Sequence, residues 1–340
     1  MSRSRPQEPL KQAQFTKEVC LSFRVSKSFA KEKEPDTIIT SMDYDDAGRY
    51  LVTTSVDDTI SLYDSVTGRS AGVTNSKKYG CHLTRFTHKD RCCVFSTTKG
   101  PDSRIGHLDI TKGAFLRYYT GHDAQVTSIE MNPRHDTFVS AAMDDTVKMW
   151  DLRASNAQAT VPSAAETHVS MDPSGQVLCI SSAREGTAAF YVLKTMTQFD
   201  RTVKLPDGFL WNKVEFSNDN KFILFSSVNG DHILLDAFEF TLVARLCGVT
   251  VIPSSGFPHT GSASFTPDGK YVFSGNGNGN VLLWSLKKED YENNELPHDI
   301  HPLAPLEDDV TPRMLLFNPK HMQFTTADTQ VKMWLPTAGF

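Results

Sequence analysis

The sequence predicts an all-β ring, a seven-bladed β-propeller folded as one closed domain. Three observations carry this reading. A strand-ending pivot residue, often followed by Asp, recurs at Tyr63, Leu108, Trp150, Tyr191, Leu235, Trp284 and Trp334. The spacings of 45, 42, 41, 44, 49 and 50 residues match the period of a propeller blade. Each pivot follows two strand-like runs joined by a polar turn, as in DDAGR, DPSGQ, SNDNK and TPDGK. A fourth, more polar run often comes next, and helical periodicity is nearly absent.

Residues 1–18 read as a flexible tail without the apolar core of a signal peptide. Residues 19 to 29 (VCLSFRVSKSF) read as a strand lying ahead of the first unit. The last unit stops soon after its third strand, so the extra N-terminal strand is assigned to the last blade. That pairing closes the ring over residues 19–337 and leaves no sheet edge at the seam. The third unit is the fullest, with VTSIEMNP, TFVSAA and TVKMWD as successive strands. Residues 287–309 (KKEDYENNELPHDIHPLAPLEDD) are acidic and Pro-rich and read as a mobile surface-loop insertion. This leaves the outer strand of the sixth blade in doubt.

A net charge of −5 argues against a general nucleic-acid binder held by a basic field. No apolar run approaches the roughly 18 residues of a membrane span. The six cysteines, at 20, 81, 92, 93, 179 and 247, contain no C-x-x-C pair. They fit neither a zinc spacing nor a disulfide framework and read as free thiols of an intracellular, soluble protein.

The third unit also carries a polar set: His122 before its first strand, Ser140 in the second, Asp144 in the turn and Trp150 in the third. Indole N–H to hydroxyl, hydroxyl to imidazole and imidazole to carboxylate would give every buried donor an acceptor. The same set suggests Ser-His-Asp hydrolase chemistry. Against that, Ser140 lies inside a regular strand and no G-x-S-x-G elbow exposes it. Partial copies with the same offsets occur at Thr53, Asp57 and Tyr63, at Ser181, Glu185 and Tyr191, and at Ser274, Asn278 and Trp284. A polar set repeated in this way is scaffolding.

The blade period, the Gly-His pair and the Trp-Asp ending resemble the WD-repeat family. Blocks outside that signature, SKKYG, LLDAF and VKMWLPT, are more specific. They resemble the WD-repeat subunits shared by the COMPASS histone-lysine methyltransferase complex and, in fungi, the mRNA cleavage and polyadenylation factor. The resemblance implies a non-catalytic, nuclear scaffold without a cofactor. Its partners would be protein subunits of those complexes, with their phosphatase machinery, and the phosphorylated RNA polymerase II tail; it implies no direct contact with nucleic acid or membrane. Other readings are a ubiquitin-ligase substrate receptor and a propeller enzyme with a channel active site.

Partner contacts are expected in the loops that enter the inner strands. These place Lys77, Lys78 and Tyr79 before the second blade, Phe209 and Trp211 at the fifth, and Phe257 near the sixth. Trp211 also fits an inner-strand core position. GNGNGN, residues 275–280, precedes a strand rather than a helix and reads as a turn, not a phosphate loop. HDIH, residues 298–301, reads as loop rather than metal site, and Asp57-Asp58, Asp144-Asp145 and Asp308-Asp309 as solvated turns or loop.

Overall fold

One turn shows how a blade begins. Between strands Thr167–Met171 and Val177–Ser182, the Asp172 carboxylate accepts from the N–H groups of Gln176 at 2.8 Å and Val177 at 2.7 Å. Gly175 stands at φ +70°, where a Cβ would lie 2.6 Å from the Asn132 side chain. Only glycine fits both the left-handed backbone and the crowding. Such turns hold the first two strands of a blade in antiparallel register.

The computed structural model describes residues 14–30, 36–100, 102–164, 166–253, 261–288, 297–308 and 311–337. Their strands form seven sheets arranged as a β-propeller. The inner strands are Ile39–Tyr44, His82–Phe86, Val126–Met131, Thr167–Met171, Trp211–Phe216, Ala263–Phe265 and Met314–Phe317. Every pivot read from the sequence lies in the third strand of its blade, from Tyr63 in Thr59–Asp64 to Trp334 in Gln330–Pro336. Among the described residues the core divides into seven clusters, one at each blade-to-blade interface. Stability therefore comes from blades packing face to face around the ring, since a lone short hairpin is marginal in water.

Phe23–Ala30 pairs antiparallel with Gln330–Pro336 and is the outer strand of the last blade. The ring is thus closed by the N-terminal strand. The strand starts later than expected. Residues Lys17–Leu21 instead form one helical turn, capped by Thr16, whose side chain accepts from the Val19 N–H at 3.3 Å. Part of the expected tail is also packed, since the Phe15 ring meets Phe317 edge-on at 5.9 Å.

The insertion differs from the expected loop in the part the structure describes. His298–Ile300 adds a parallel fifth strand to the outer strand of blade five, Leu242–Leu246. Arg245 grips Asp299 through two hydrogen bonds of 2.9 and 2.8 Å. Leu306–Glu307 then supplies a two-residue outer strand to blade six. Asp308 is not solvated: its buried carboxylate pairs with the buried Lys332 ammonium of blade seven. Segment 297–308 straps three blades together; Asp309 lies outside the described residues.

Candidate protein-interaction site

The polar set of blade three is joined in space. Trp150 Nε1 donates to Ser140 Oγ at 2.8 Å, and Ser140 Oγ lies 2.8 Å from His122 Nε2. His122 Nδ1 lies 2.8 Å from Asp144 Oδ2, which also accepts from the Asp123 N–H at 3.0 Å. The chain of donors fixes a neutral imidazole carrying its proton on Nδ1. Burial pushes the His122 pKa below its ordinary value, against the pull of Asp144. Burial raises Asp144, but hydrogen bonds from Thr146 and His122 outweigh it and hold the carboxyl below the usual range. His122 ends the outer strand of blade two, so the relay ties blade two to blade three. Ser140 is fully buried, with no path for a substrate carbonyl.

The partial copies do not form the same relay. The Ser181 hydroxyl receives the Trp211 indole N–H at 3.0 Å, across the interface with blade five. Ser274 instead faces His232 Nε2 of blade five at 2.8 Å, and Trp284 donates to the Cys247 carbonyl at 3.1 Å. The offsets recur, but the partners come from neighbouring blades.

A charged belt lines the central channel, a cavity of about 280 Å³. Blades one, two, three and five contribute Asp43, Arg85, Glu130, Lys213 and Glu215 from their inner strands. Arg85 Nε meets Glu130 at 3.3 Å, and Lys213 Nζ meets Glu215 at 2.5 Å. Glu215 also accepts from Ser264 Oγ and the Phe265 N–H, at 3.0 and 3.2 Å. Asp43 accepts the Phe86 N–H at 2.7 Å, and burial pushes its carboxyl up to about 7 despite Arg85. Sequence reading missed this belt; the available signal was a charged residue near the end of several inner strands. Its groups join one inner strand to the next. Among the described residues no group of three or more His, Cys, Asp or Glu side chains is placed to hold a metal ion.

The expected contact residues separate. Lys77 and Lys78 are exposed and Tyr79 is half-buried. The Tyr79 carbonyl accepts the N–H groups of Thr98 at 3.0 Å and Lys99 at 2.8 Å, which fixes the loop against blade two. The Lys78 ammonium stands 4.9 Å and the Arg104 guanidinium 5.9 Å from the Tyr79 ring. Phe209 is half-buried and stacks on Trp211 at 5.5 Å. Trp211 corrects the expectation of an exposed anchor: it is 2% exposed, and its indole is spent on Ser181. Phe257 lies outside the described residues. HDIH is not free loop either, because Asp299 is engaged by Arg245.

The comparisons with known proteins agree with this architecture. The family described as "WD domain, G-beta repeat" matches residues 27–64, 113–151 and 257–285. The chain is 35% identical over 319 residues to the Saccharomyces cerevisiae protein named COMPASS component SWD2, covering 93% of this chain and 96% of the relative. The chain belongs to the WD-repeat family. A second WD-repeat relative, WD repeat-containing protein 82 of Drosophila melanogaster, is 32% identical, covering 94% of this chain and 96% of the relative. A third, Set1 complex component swd2 of Schizosaccharomyces pombe, is 29% identical, covering 87% and 92%. The matched residues 113–151 include the whole Trp150 relay, while the SKKYG loop lies outside the matched segments.

Proposed function

We propose that this chain is a non-catalytic scaffold subunit of a COMPASS-type histone-lysine methyltransferase complex and works in the nucleus. The observation that carries the reading is its 35% identity, over nearly its whole length, to COMPASS component SWD2. The geometry supports it: the Ser-His-Asp set is buried between blades, and the channel charges are joined to one another or to backbone. The earlier resemblance extends the proposal to the cleavage and polyadenylation machinery, its phosphatase and the phosphorylated RNA polymerase II tail. Lys77, Lys78 and Tyr79, with Phe209, are the proposed contact residues. Exposed cations beside a half-buried aromatic suit charge-assisted contact with a protein partner.

The test is co-purification with the Lys77→Glu, Lys78→Glu double variant. Folding should be unchanged, because exposed substitutions shift stability by less than about 0.5 kcal/mol. Loss of methyltransferase or 3′-processing subunits supports the contact. Recovery of both complexes at wild-type levels places the contact elsewhere on the ring.

A further inference from the structure

The outer halves of blades one and two do not close on each other. On the blade-two side a ladder of rings runs outward from the core. Buried Phe95 lies 6.1 Å from Phe115, Phe115 stacks on Tyr118 at 5.8 Å, and Tyr118 meets Tyr79 at 5.3 Å. Gly106 separates Phe95 from Tyr118 across the sheet, and a Cβ there would lie 2.6 Å from the Phe95 ring. The missing side chain lets the rings sit in one row. Phe115 remains 39% exposed, which is unusual for a ring in contact with the core.

On the facing wall of blade one, the outer-strand position beside Leu62 is a glycine. Leu62 pairs with Gly72 and Ile60 with Thr74, so these residues share the face that turns toward blade two. A Cβ built on Gly72 would meet nothing within 4 Å, and its φ lies outside the left-handed region. The backbone therefore does not require glycine here; what glycine provides is open space. Toward the other end the gap widens into a cleft of about 320 Å³ lined by Tyr50, Leu62, Gly72, Thr74, Arg91 and Ile110.

Exposed cations stand at one end. Lys77 and Lys78 flank the Tyr79 end beside Arg104, while at the other end Arg91 pairs with Asp90 at 3.2 Å and Lys112 with Asp109 at 3.8 Å. The nearby carboxylates are already engaged: Asp102 by Arg104 at 2.6 Å, Asp64 by Arg49 at 3.4 Å, and Asp58 by Lys99. An aromatic wall with exposed cations at one end suits an acidic segment that carries an aromatic side chain.

We infer that the cleft between blades one and two binds an extended acidic segment of a partner protein, with an aromatic side chain laid against Phe115 and Tyr118. The inference rests on the scaffold reading for the existence of a protein partner. It extends the contact from the loop of Lys77, Lys78 and Tyr79 to the ring's outer side.

The test uses the full chain and a fluorescein-labelled Gly-Glu-Glu-Trp-Glu-Glu-Gly peptide, read by anisotropy. The wild type should bind it, more weakly as salt rises, and bind the Trp→Ala and all-Lys versions at least tenfold more weakly. Gly72→Leu fills open space at an unstrained position, so its melting temperature should match wild type while affinity falls at least tenfold. Tyr118→Ala should lose affinity similarly. No wild-type binding, or equal binding by wild type, Gly72→Leu and Tyr118→Ala, overturns the cleft. Co-purification of the methyltransferase is scored in parallel on the wild-type chain. Its absence contradicts the scaffold reading and leaves the peptide result to judge the cleft alone.

Discussion

At the scale of single residues, the fold relies on buried polar groups that are satisfied in one protonation state. Trp150→Ala should destabilise the fold by about 3 to 5 kcal/mol, combining a lost buried indole with an orphaned hydroxyl. Ser140→Ala should cost on the order of 1 to 2 kcal/mol. Equal, small losses in chemical denaturation would show that the relay is not a buried unit. His232 gives a pH prediction. The Ser227 N–H donates to its Nδ1 at 3.0 Å, so the ring is neutral and Nε2 donates to Ser274. Burial lowers its pKa to about 3. The unfolded chain takes up this proton near about pH 6.5, the folded chain only near the lower value. Over that window the unfolded state binds more protons, so stability falls as pH falls. His168, lowered to about 4 by burial, adds a slope of the same sign. His232→Gln should flatten the decline in melting temperature between neutral and acid pH; an unchanged slope would remove His232 from the balance. The Trp150 relay was legible because Ser140, Asp144 and Trp150 sit at fixed offsets in one hairpin and His122 lies a short way ahead of it in the sequence. The copies at Ser181 and Ser274 read as scaffolding, but their partners were not legible, because an offset names sequence neighbours and Trp211 and His232 belong to the adjoining blade.

At the scale of elements, the seam is the decisive feature. Phe23–Ala30 runs along nearly the whole third strand of the last blade, from Phe23 opposite Pro336 to Ala30 opposite Gln330. Phe23 itself is fully buried and meets Phe273 of blade six and Phe324 of blade seven. Removing residues 1–30 should expose that third-strand edge and open the core between the last two blades. The expected result is aggregation and a lowered thermal transition. A truncated chain that stays monomeric and melts like wild type would refute closure by this strand. The seam was readable because the last unit is one strand short and the first has one too many. The strap was not. His298–Ile300 is only three residues long within an acidic, Pro-rich stretch, and its pairing depends on Arg245 and the core position of Ile300. Composition carries no record of such a tertiary contact.

At the scale of the whole molecule, blade number and ring closure followed from period and strand count, properties that repetition makes visible in one sequence. The channel belt was hidden for the opposite reason, because its charges come singly or in pairs from blades one, two, three and five. The surfaces proposed to meet partners, the SKKYG loop and the cleft beside it, depart from the repeat. The loop stood out as a break in the repeat, whereas the cleft, which needs two blades side by side, left no mark in the sequence. The central claim is that this propeller works by holding other proteins together. The most direct measurement is affinity purification of the tagged full chain from nuclear extract, with subunits quantified by mass spectrometry. The expected result is recovery of a histone-lysine methyltransferase and its companion subunits in near-stoichiometric amounts. Recovery of ubiquitin-ligase subunits in their place, or of the chain alone, would contradict it.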